Sequence, residues 1–332
     1  MWIEIIHENY IPDYIIIDSN IFLDRKKGNG NGFETIRFGN SKTSLSQSYS
    51  IIENNIFENC NGEIEIISNK CGGNIYYKNT FKTSYGSLTL RHGNKVLVVQ
   101  NKFLQNKLLN GGGVRVASGS GHIIYNNLFK NTNNRAALII NSGSNDDIYN
   151  IQVSYSKFLK NIFLNCSIDI SIGSIEFPIP PRLCLIKNNY IIKNNNDPVY
   201  QINSNFLKFD FQNNIYKVNN MGNIPDYYYQ QIYKNDIVEE VIIEDYGANE
   251  QEKIGYENNI IFDNKYGDVY YKYLNQTIFD EISLTKDFLG YKSIYNTNYI
   301  LHNSSLDSSS SSICNLNPFI LLIYFFFSYF NI

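Results

Sequence analysis

The sequence predicts an all-β fold, a parallel β-helix in which short strands stack coil upon coil. Two observations predict it: a β-branched run followed by Asn-x-aromatic recurs along the chain, and no helical stripe of apolar residues competes with that repeat. The marker residues of the copies are Phe22, Phe57, Phe81, Phe103, Phe129, Phe163, Ile191 and Tyr216. They lie 35, 24, 22, 26, 34, 28 and 25 residues apart, so we expect a constant unit of about 22 residues with loop insertions.

One such unit holds two or three short strands and cannot bury its apolar side alone. Stacked units share a continuous core and satisfy each other's backbone groups. We expect the repeated asparagines to be structural, because Asn suits a tight turn, tolerates the left-handed αL conformation and can hydrogen-bond to its copy in the next coil. Two other repeat folds fit less well. The sequence lacks the leucine signature of a leucine-rich repeat, and its unit is too short for a propeller blade, which needs about 40 residues.

The repeat divides the chain into three predicted regions. Residues 1–230 are expected to form the β-helix and to carry its functional face. Residues 231–300, where the repeat fades, are expected to supply a C-terminal coil and a capping region. Residues 301–332 read as a Ser-rich stalk followed by a hydrophobic tail.

The tail has two interpretations. Its small residues, short spacer and apolar run at 318–330 match a GPI-anchor signal, which predicts a secreted or cell-surface protein attached to a membrane. The run is shorter than the roughly 20 residues that span a bilayer, so the alternative is a tail helix that docks on the domain. If the protein is secreted, the sequons at Asn165, Asn275 and Asn303 are expected glycosylation sites.

The start of the chain does not read as a signal peptide. Residues 1–17 contain Glu4, Glu8 and Asp13 within an apolar stretch and have no basic beginning. We therefore expect that the true N-terminus, with the first coils of the β-helix, is missing from this sequence.

Charge and cysteine content exclude several classes of function. The net charge of −3 gives no electrostatic reason for binding to nucleic acid. We also expect the protein to be a monomer. The five cysteines form no CxxC or Cys/His pattern, which argues against a zinc site. Cys60 and Cys71 could pair, but buried free thiols are the favoured interpretation.

Strand alternation predicts which side chains face outward. In GEIEI, Ile64 and Ile66 should face the core, and Glu63 and Glu65 should face out together. Leu88 and Leu90 should point inward and Arg91 outward; in the next coil Val114 and Val116 should point inward and Arg115 outward.

The coil period then places cations beside the two carboxylates. Lys70 and Arg91 are 21 residues apart, one coil, which makes them lateral neighbours on adjacent strands. Arg115 follows Arg91 after 24 residues and Arg135 follows after a further 20, so all four should form one cationic stripe. An acidic pair beside such a stripe, on a protein without net basic charge, indicates a local site.

This face suits an acidic sugar polymer. Two outward carboxylates can hold Ca²⁺, with Asn31 from the preceding coil as a third protein ligand. The ion and Arg91 would neutralise a uronate carboxylate, and Lys70 could remove the C5 proton so that the 4-linked oxygen is eliminated. A Ser-His-Asp triad has no support in the sequence, and hydrolysis by Glu63 and Glu65 remains open although they sit side by side.

At these residues the sequence resembles polysaccharide lyase family 6, the group of chondroitinase B and many alginate lyases. The motifs that carry the resemblance are NGFETIRFG (31–39), NGEIEIISNK (61–70), NTFKTSYGSLTLRHGN (79–94), GGGVRV (111–116) and RAALIINSG (135–143). They span roughly residues 15–220.

The resemblance implies a right-handed parallel β-helix and Ca²⁺-assisted β-elimination. By position, Lys70 corresponds to the family's base and Arg91 to its acid or charge-neutralising partner. Asn31, Glu63 and Glu65 correspond to its Ca²⁺ ligands. The positions that correspond to substrate contacts are His92, Arg115 and Arg135.

The leading hypothesis is therefore a lyase acting on an anionic, uronate-containing polysaccharide, with alginate ahead of chondroitin or dermatan. A catalytically inactive, cell-surface β-helix that binds carbohydrate or is purely structural is the alternative. A hydrolase, which would release a saturated product, is the third.

Overall fold

The computed structural model describes residues 3–7, 11–145, 149–206 and 208–225. These residues form short parallel strands in three sheets of eight strands each, and every third strand returns to the same sheet. The sheet order repeats from coil to coil, which confirms the predicted parallel β-helix. The predicted regions 231–300 and 301–332, with Asn275, Asn303 and Cys314, lie outside the described residues.

Each coil contributes one strand to each sheet. Sheet 1 consists of β1 (Ile3–Ile5), β4 (Ile36–Phe38), β7 (Glu65–Asn69), β10 (Gly86–Leu90), β13 (Gly111–Val116), β16 (Leu138–Ile140), β19 (Ile170–Ile172) and β22 (Tyr200–Ile202). Sheet 2 consists of β2 (Ile16–Asp18), β5 (Ile51–Glu53), β8 (Ile75–Tyr77), β11 (Leu97–Val99), β14 (Ile123–Tyr125), β17 (Lys157–Leu159), β20 (Leu185–Lys187) and β23 (Asp210–Gln212). Sheet 3 consists of β3 (Ile21–Leu23), β6 (Ile56–Glu58), β9 (Thr80–Lys82), β12 (Lys102–Leu104), β15 (Leu128–Lys130), β18 (Ile162–Leu164), β21 (Tyr190–Ile192) and β24 (Ile215–Lys217).

The eight marker residues align in one row along sheet 3, as the repeat predicts. Phe22 pairs with Phe57, and the row continues strand by strand to Ile191 and Tyr216. Six of the markers are phenylalanines whose rings stack inside the helix, with neighbouring centroids 4.7 to 5.0 Å apart. The excess residues of the longer repeats lie between sheets, for example at 24–35 and 141–156.

The repeated asparagines form a buried ladder between sheets 2 and 3. The Asn79 backbone N–H and side-chain amide both donate to Asn101 Oδ1, and Asn101 donates to Asn127 Oδ1 in the same way. The predicted ladder is confirmed, but the expected αL conformation falls one residue earlier. Lys78 and Gln100, which precede ladder asparagines, have φ of 51° and 54°. The preceding residue makes the turn, which leaves the asparagine free to bond along the stack.

The core lies inside the three sheets and includes four cysteines. Cys60, Cys71, Cys166 and Cys184 are buried free thiols, as the sequence predicts. Burial raises the pKa of the Cys71 thiol to about 12, so it stays protonated.

Among the described residues no helix has the length and hydrophobicity needed to cross a membrane.

Candidate active site

A cleft of about 700 Å³ opens along the outer side of sheet 1, between the segment before β4 and strand β13. Six of the eight predicted site residues line it: Asn31, Glu63, Glu65, Lys70, Arg91 and Arg115. Lys27 and Tyr85 also line the cleft, and sequence reasoning missed both. The Lys27 ammonium lies 5.8 Å from the centre of the Tyr85 ring, a cation–π contact on one wall.

The wall that carries Asn31 is the inserted segment 24–35, which leads from β3 to β4. The Gly28 backbone N–H donates to the Gly62 carbonyl at 2.8 Å. A side chain at Gly62 would put its Cβ only 1.9 Å from the Phe33 carbonyl oxygen, so only glycine permits this close approach. Arg25 fixes the same segment, because its Nε donates to that carbonyl at 3.3 Å. The insertion is thus held against the residues that precede β7.

Three carboxylates meet beside this wall. Glu34, Glu63 and Glu65 each offer one oxygen, and the three oxygens lie within 4.8 Å of one another. Burial, then the neighbouring Glu34 and Glu65 carboxylates, raise the pKa of Glu63 to about 7. Glu34 is only 1 % exposed, and its Oε2 has no hydrogen-bond partner among the described residues. A buried carboxylate oxygen without a donor is costly unless a cation compensates it.

These donors fit a hard divalent cation. The predicted ligands Asn31, Glu63 and Glu65 all line the one cleft, and Glu34 adds a carboxylate that the sequence analysis did not assign. Alternation gave no signal for Glu34, because it precedes β4 in a stretch where Thr35 and Ile36, the next two residues, are buried as well. Its position three residues after Asn31, in the same motif, is the signal that could have found it.

Lys70 and Arg91 are lateral neighbours, as the coil period predicts. Asn69 pairs with Leu90 across β7 and β10, and the two cations follow immediately. The Arg91 backbone N–H donates to the Asn69 carbonyl at 2.8 Å. Adjacent strands lie about 4.8 Å apart, so both side chains reach into the same part of the cleft.

The Asn69 side chain secures the two strand ends from which these cations emerge. It is fully buried, and its Nδ2 donates to the carbonyls of Cys71 and His92 at 2.7 and 3.2 Å. Its Oδ1 accepts from Tyr76 Oη at 2.9 Å and from Asn74. The carbonyls lie one residue beyond Lys70 and Arg91, so this network sets the paths of both segments.

Arg115 does not extend the Lys70–Arg91 row, and that prediction was wrong. Arg115 pairs with Thr89, and Ala117 occupies the position beside Arg91. The pairing offset between β10 and β13 rises from 25 residues at Gly86–Gly111 to 26 at Leu88–Val114. Arg91 and Arg115 are only 24 residues apart, so counting residues misplaces Arg115 by two positions. Arg115 Nη1 lies 3.9 Å from Glu65 Oε1 instead, where it faces the acidic cluster. Burial lowers its pKa despite that carboxylate.

Arg135 is half-buried, close enough to Arg115 to feel its charge, and does not line the cleft. A Cβ at Gly112 would come within 2.9 Å of Arg135 Cδ, so the missing side chain there makes room for the arginine. Burial, then the charge of Arg115, lower the pKa of Arg135 to about 10, which leaves it protonated at neutral pH. The predicted straight stripe of four cations is in fact a pair, Lys70 and Arg91, with two arginines offset from it.

His92 is buried rather than open to the cleft. Its Nδ1 lies 2.8 Å from the Tyr149 carbonyl and its Nε2 lies 3.3 Å from Ser41 Oγ. Its exposure is 3 %, so the structure does not bring this predicted substrate contact to the cleft. The His92 side chain is instead buried between the loops that carry Ser41 and Tyr149.

Ile64 was predicted to face the core, and that prediction was wrong, because its side chain is 41 % exposed. Strand β7 begins only at Glu65, so alternation does not apply to the residues before it. A register shift against β10 then turns both Ile66 and Ile67 inward. The other predicted inward residues, Leu88, Leu90, Val114 and Val116, are all buried.

A Ser-His-Asp arrangement does occur among the described residues, although no sequence pattern had predicted one. His7 Nδ1 lies 2.8 Å from Asp13 Oδ2, and its Nε2 contacts Ser46 Oγ. All three lie outside the cleft, and Ser46 Oγ donates to the Thr43 carbonyl. Ser46 is 4 % exposed, so the arrangement ties the first coils together rather than presenting a nucleophile.

Comparison with known proteins identifies the family. A family model described as chondroitinase B matches residues 2–254. The chain belongs to the chondroitinase B family. No curated protein sequence matches this member of the family.

Solved structures place this chondroitinase B family member in polysaccharide lyase family 6. A mannuronic acid-specific family 6 lyase from human gut microbiota is 25 % identical, with a TM-score of 0.60 over 73 % of this chain and 57 % of its own. The family 6 alginate lyase AlyGC is 31 % identical, with a TM-score of 0.60 over 64 % of this chain and 30 % of its own. The chain thus spans less than two thirds of the length of these relatives.

Proposed function

We propose that this protein is a polysaccharide lyase that cleaves a uronate-containing anionic polysaccharide by β-elimination. The observation that carries the proposal is the pairing of Lys70 with Arg91 at equivalent positions of adjacent strands, within the cleft that also holds Glu34, Glu63 and Glu65. Family membership supports the same chemistry.

Calcium is the proposed cofactor. Glu34, Glu63, Glu65 and Asn31 would supply carboxylate and amide oxygens, the ligand type that Ca²⁺ prefers. The buried, unpartnered oxygen of Glu34 supports this fit. When bound, calcium would supply positive charge for the uronate carboxylate and so stabilise the charge that develops on it.

Lys70 and Arg91 carry the proposed reaction. The Arg91 guanidinium pairs with the uronate carboxylate, because a guanidinium keeps its proton and binds carboxylates through parallel N–H groups. The Lys70 amine removes the proton from C5. The electrons of the C5–H bond then form the C4–C5 double bond as the C4–O4 bond breaks, and the departing oxygen takes a proton from water. Arg115 and Arg135 supply further positive charge for neighbouring uronates.

Alginate is the first proposed substrate, and chondroitin or dermatan chains are the second. The two solved relatives at 25 % and 31 % identity are named as mannuronic acid-specific and alginate lyases. A large extracellular polymer as substrate is consistent with a secreted or cell-surface location, which we also propose.

A panel of polymers tests the proposal. The full chain would be incubated with polymannuronate, polyguluronate, chondroitin sulfate and dermatan sulfate, each with and without Ca²⁺. We expect an ultraviolet absorbance from the unsaturated product with at least one polymer. Chain shortening without that absorbance would indicate hydrolysis, and binding without cleavage would indicate a non-catalytic carbohydrate-binding protein; either result contradicts a lyase.

A further inference from the structure

The outer face of sheet 2 is apolar where a solvated face should be polar. In this sheet the central residue of each strand points into the helix, as Tyr76, Val98 and Ile124 do. The flanking residues therefore point outward. In the middle coils both flanking positions are apolar, and β8, β11 and β14 read IYY, LVV and IIY. Strands with such continuous apolar runs are typically buried on both faces.

Burial of these outward side chains agrees with the sequence pattern. Ile75, Leu97 and Ile123 are 1 %, 2 % and 2 % exposed, and Val99 on the parallel outward row is 2 % exposed. All described strands belong to the three sheets that form the wall of the helix, so none of them is left to pack across this outer face. Loop segments or residues outside the described ranges are left to cover it.

Sheet 3 provides an internal comparison. Its first outward isoleucines, Ile21 and Ile56, are 63 % and 37 % exposed, which is what an uncovered outward side chain on this helix retains. Farther along the same sheet, Leu128 and Ile162 are 5 % and 1 % exposed, so outward side chains of sheet 3 are buried in the later coils as well.

We propose that the hydrophobic tail, residues 318–330, docks on the outer face of sheet 2 as part of the fold. The face is free of charge from Ile75 to Tyr125 and is bounded by Glu53 and Lys157. The tail PFILLIYFFFSYF is also free of charge. The other apolar segment near the C-terminus, residues 237–243, carries two glutamates. Their burial against the uncharged centre of the face would be costly, because the neighbouring cations Lys78 and Lys157 lie at its edges.

The dimensions also agree. The uncharged strands β8 to β14 cross two strand spacings, about 10 Å, and the apolar residues Ile51 on β5 and Leu159 on β17 extend the patch to four spacings, about 19 Å. Residues 318–330 would measure about 20 Å as a helix. The tail then serves as an intramolecular cover, and the interpretation as a GPI-anchor signal is the competing one.

A matched pair of substitutions in the full chain tests this proposal by hydrogen–deuterium exchange. We expect amides of residues 318–330 to be protected in the unmodified protein. Ile75→Lys, which places a charge under the tail, should speed their exchange roughly tenfold or more. Ile56→Lys, an outward isoleucine of the uncovered part of sheet 3, should leave that exchange unchanged. Equal effects of the two substitutions, or no protection in the unmodified protein, would overturn the proposal.

Detergent-phase partitioning gives an independent readout that does not depend on a substitution. The docked tail predicts that the full chain stays in the aqueous phase, whereas an exposed anchor would carry it into the detergent phase and contradict the proposal. If Ile75→Lys instead dissociated a dimer without changing exchange in residues 318–330, a second copy would be the occupant and the proposal would be wrong.

Discussion

Glu34 shows how a single residue can decide the character of this site. Its carboxylate is buried beside Glu63 and Glu65, and one of its oxygens has no hydrogen-bond partner among the described residues. Burial first, and then the charges of the neighbouring Glu34 and Glu65 carboxylates, raise the pKa of Glu63 to about 7, because both disfavour its charged form. This arrangement supports the proposal that the cluster holds a cation.

Glu34→Gln tests that interpretation. Removal of one negative ligand should weaken Ca²⁺ binding by about 10- to 100-fold or more, since even outer contacts of metal sites have effects of that size. Titration calorimetry would measure the affinity. The matched control is Glu58→Gln on sheet 3, which loses only the ion pair with Lys82 and should bind Ca²⁺ normally. Unchanged affinity in Glu34→Gln would remove Glu34 from the ligand set.

Tyr76 is expected to act as a positioning residue through Asn69. Tyr76→Phe deletes the hydroxyl that donates to Asn69 Oδ1 and so loosens the segments that carry Lys70 and Arg91. We expect kcat to fall several-fold with little change in KM, since substrate contacts remain. Tyr216→Phe is the control: it removes the buried hydroxyl contact with Tyr200 far along the helix, and it should lower stability alone. Equal kinetics in the two variants would assign Tyr76 a purely structural role.

At the scale of elements, the repeat predicted sheet 3 residue by residue but predicted sheet 1 only in part. Every coil presents one marker at one place in sheet 3, so spacing alone gives the register. Sheet 1 carries the site and has two register irregularities, at Gly86 and at Ser87, which offset Arg115 and turn Ile66 inward. Bulges of this kind occur next to active sites and leave no signal in the count of residues between repeats.

The asparagine ladder is expected to make its largest contribution in the middle of the helix. Asn101→Ala would leave the buried Asn79 N–H and the Tyr76 carbonyl without their partners. The free energy of unfolding should fall by about 3 kcal/mol or more, since each buried group left unsatisfied costs about 1–3 kcal/mol. Asn20→Ala at the half-buried start of the ladder should cost much less. Urea unfolding measures both; equal losses would argue against a cooperative ladder.

The turn between sheets 1 and 2 contains a histidine that makes stability depend on pH. His122 is fully buried, its Nδ1 accepts from the Val96 N–H and its Nε2 lies 3.0 Å from the Ser118 carbonyl. Burial lowers its pKa from the usual 6.5 to about 4. Below pH 6.5 the unfolded chain takes up a proton that the folded chain refuses, so the free energy of unfolding falls as the pH drops toward 4.

Substitution of His122 isolates this contribution. Between pH 7 and pH 4, protonation of His122 alone should lower the free energy of unfolding by about 3 kcal/mol. His122→Gln should be less stable at neutral pH, because the ring's contacts are lost, and should lose less stability between pH 7 and pH 4. Chemical unfolding at several pH values measures the slopes. Parallel curves for the two proteins would show that His122 does not titrate as described.

At the scale of the whole molecule, the fold and most of the site follow from one repeat length. Lys70 and Arg91 could be placed together from sequence because they sit at the ends of regular strands one coil apart. His92 and Arg135 could not, because their exposure depends on loop packing around Tyr149 and on the space left by Gly112. The burial of the outer face of sheet 2 was not predicted either, although the apolar triplets IYY, LVV and IIY are the signal that could have indicated it.

The most direct measurement for the central claim is the rate of unsaturated-product formation from the best polymer substrate, with Ca²⁺ present, in Lys70→Ala and its matched control. Lys102→Ala is that control, since Lys102 faces outward on β12 of sheet 3, away from the cleft. We predict that Lys70→Ala lowers kcat by about 100-fold or more while Ca²⁺ affinity is kept, and that Lys102→Ala is unaffected. Full product formation by Lys70→Ala would contradict the assignment of Lys70 and Arg91 as the reacting pair.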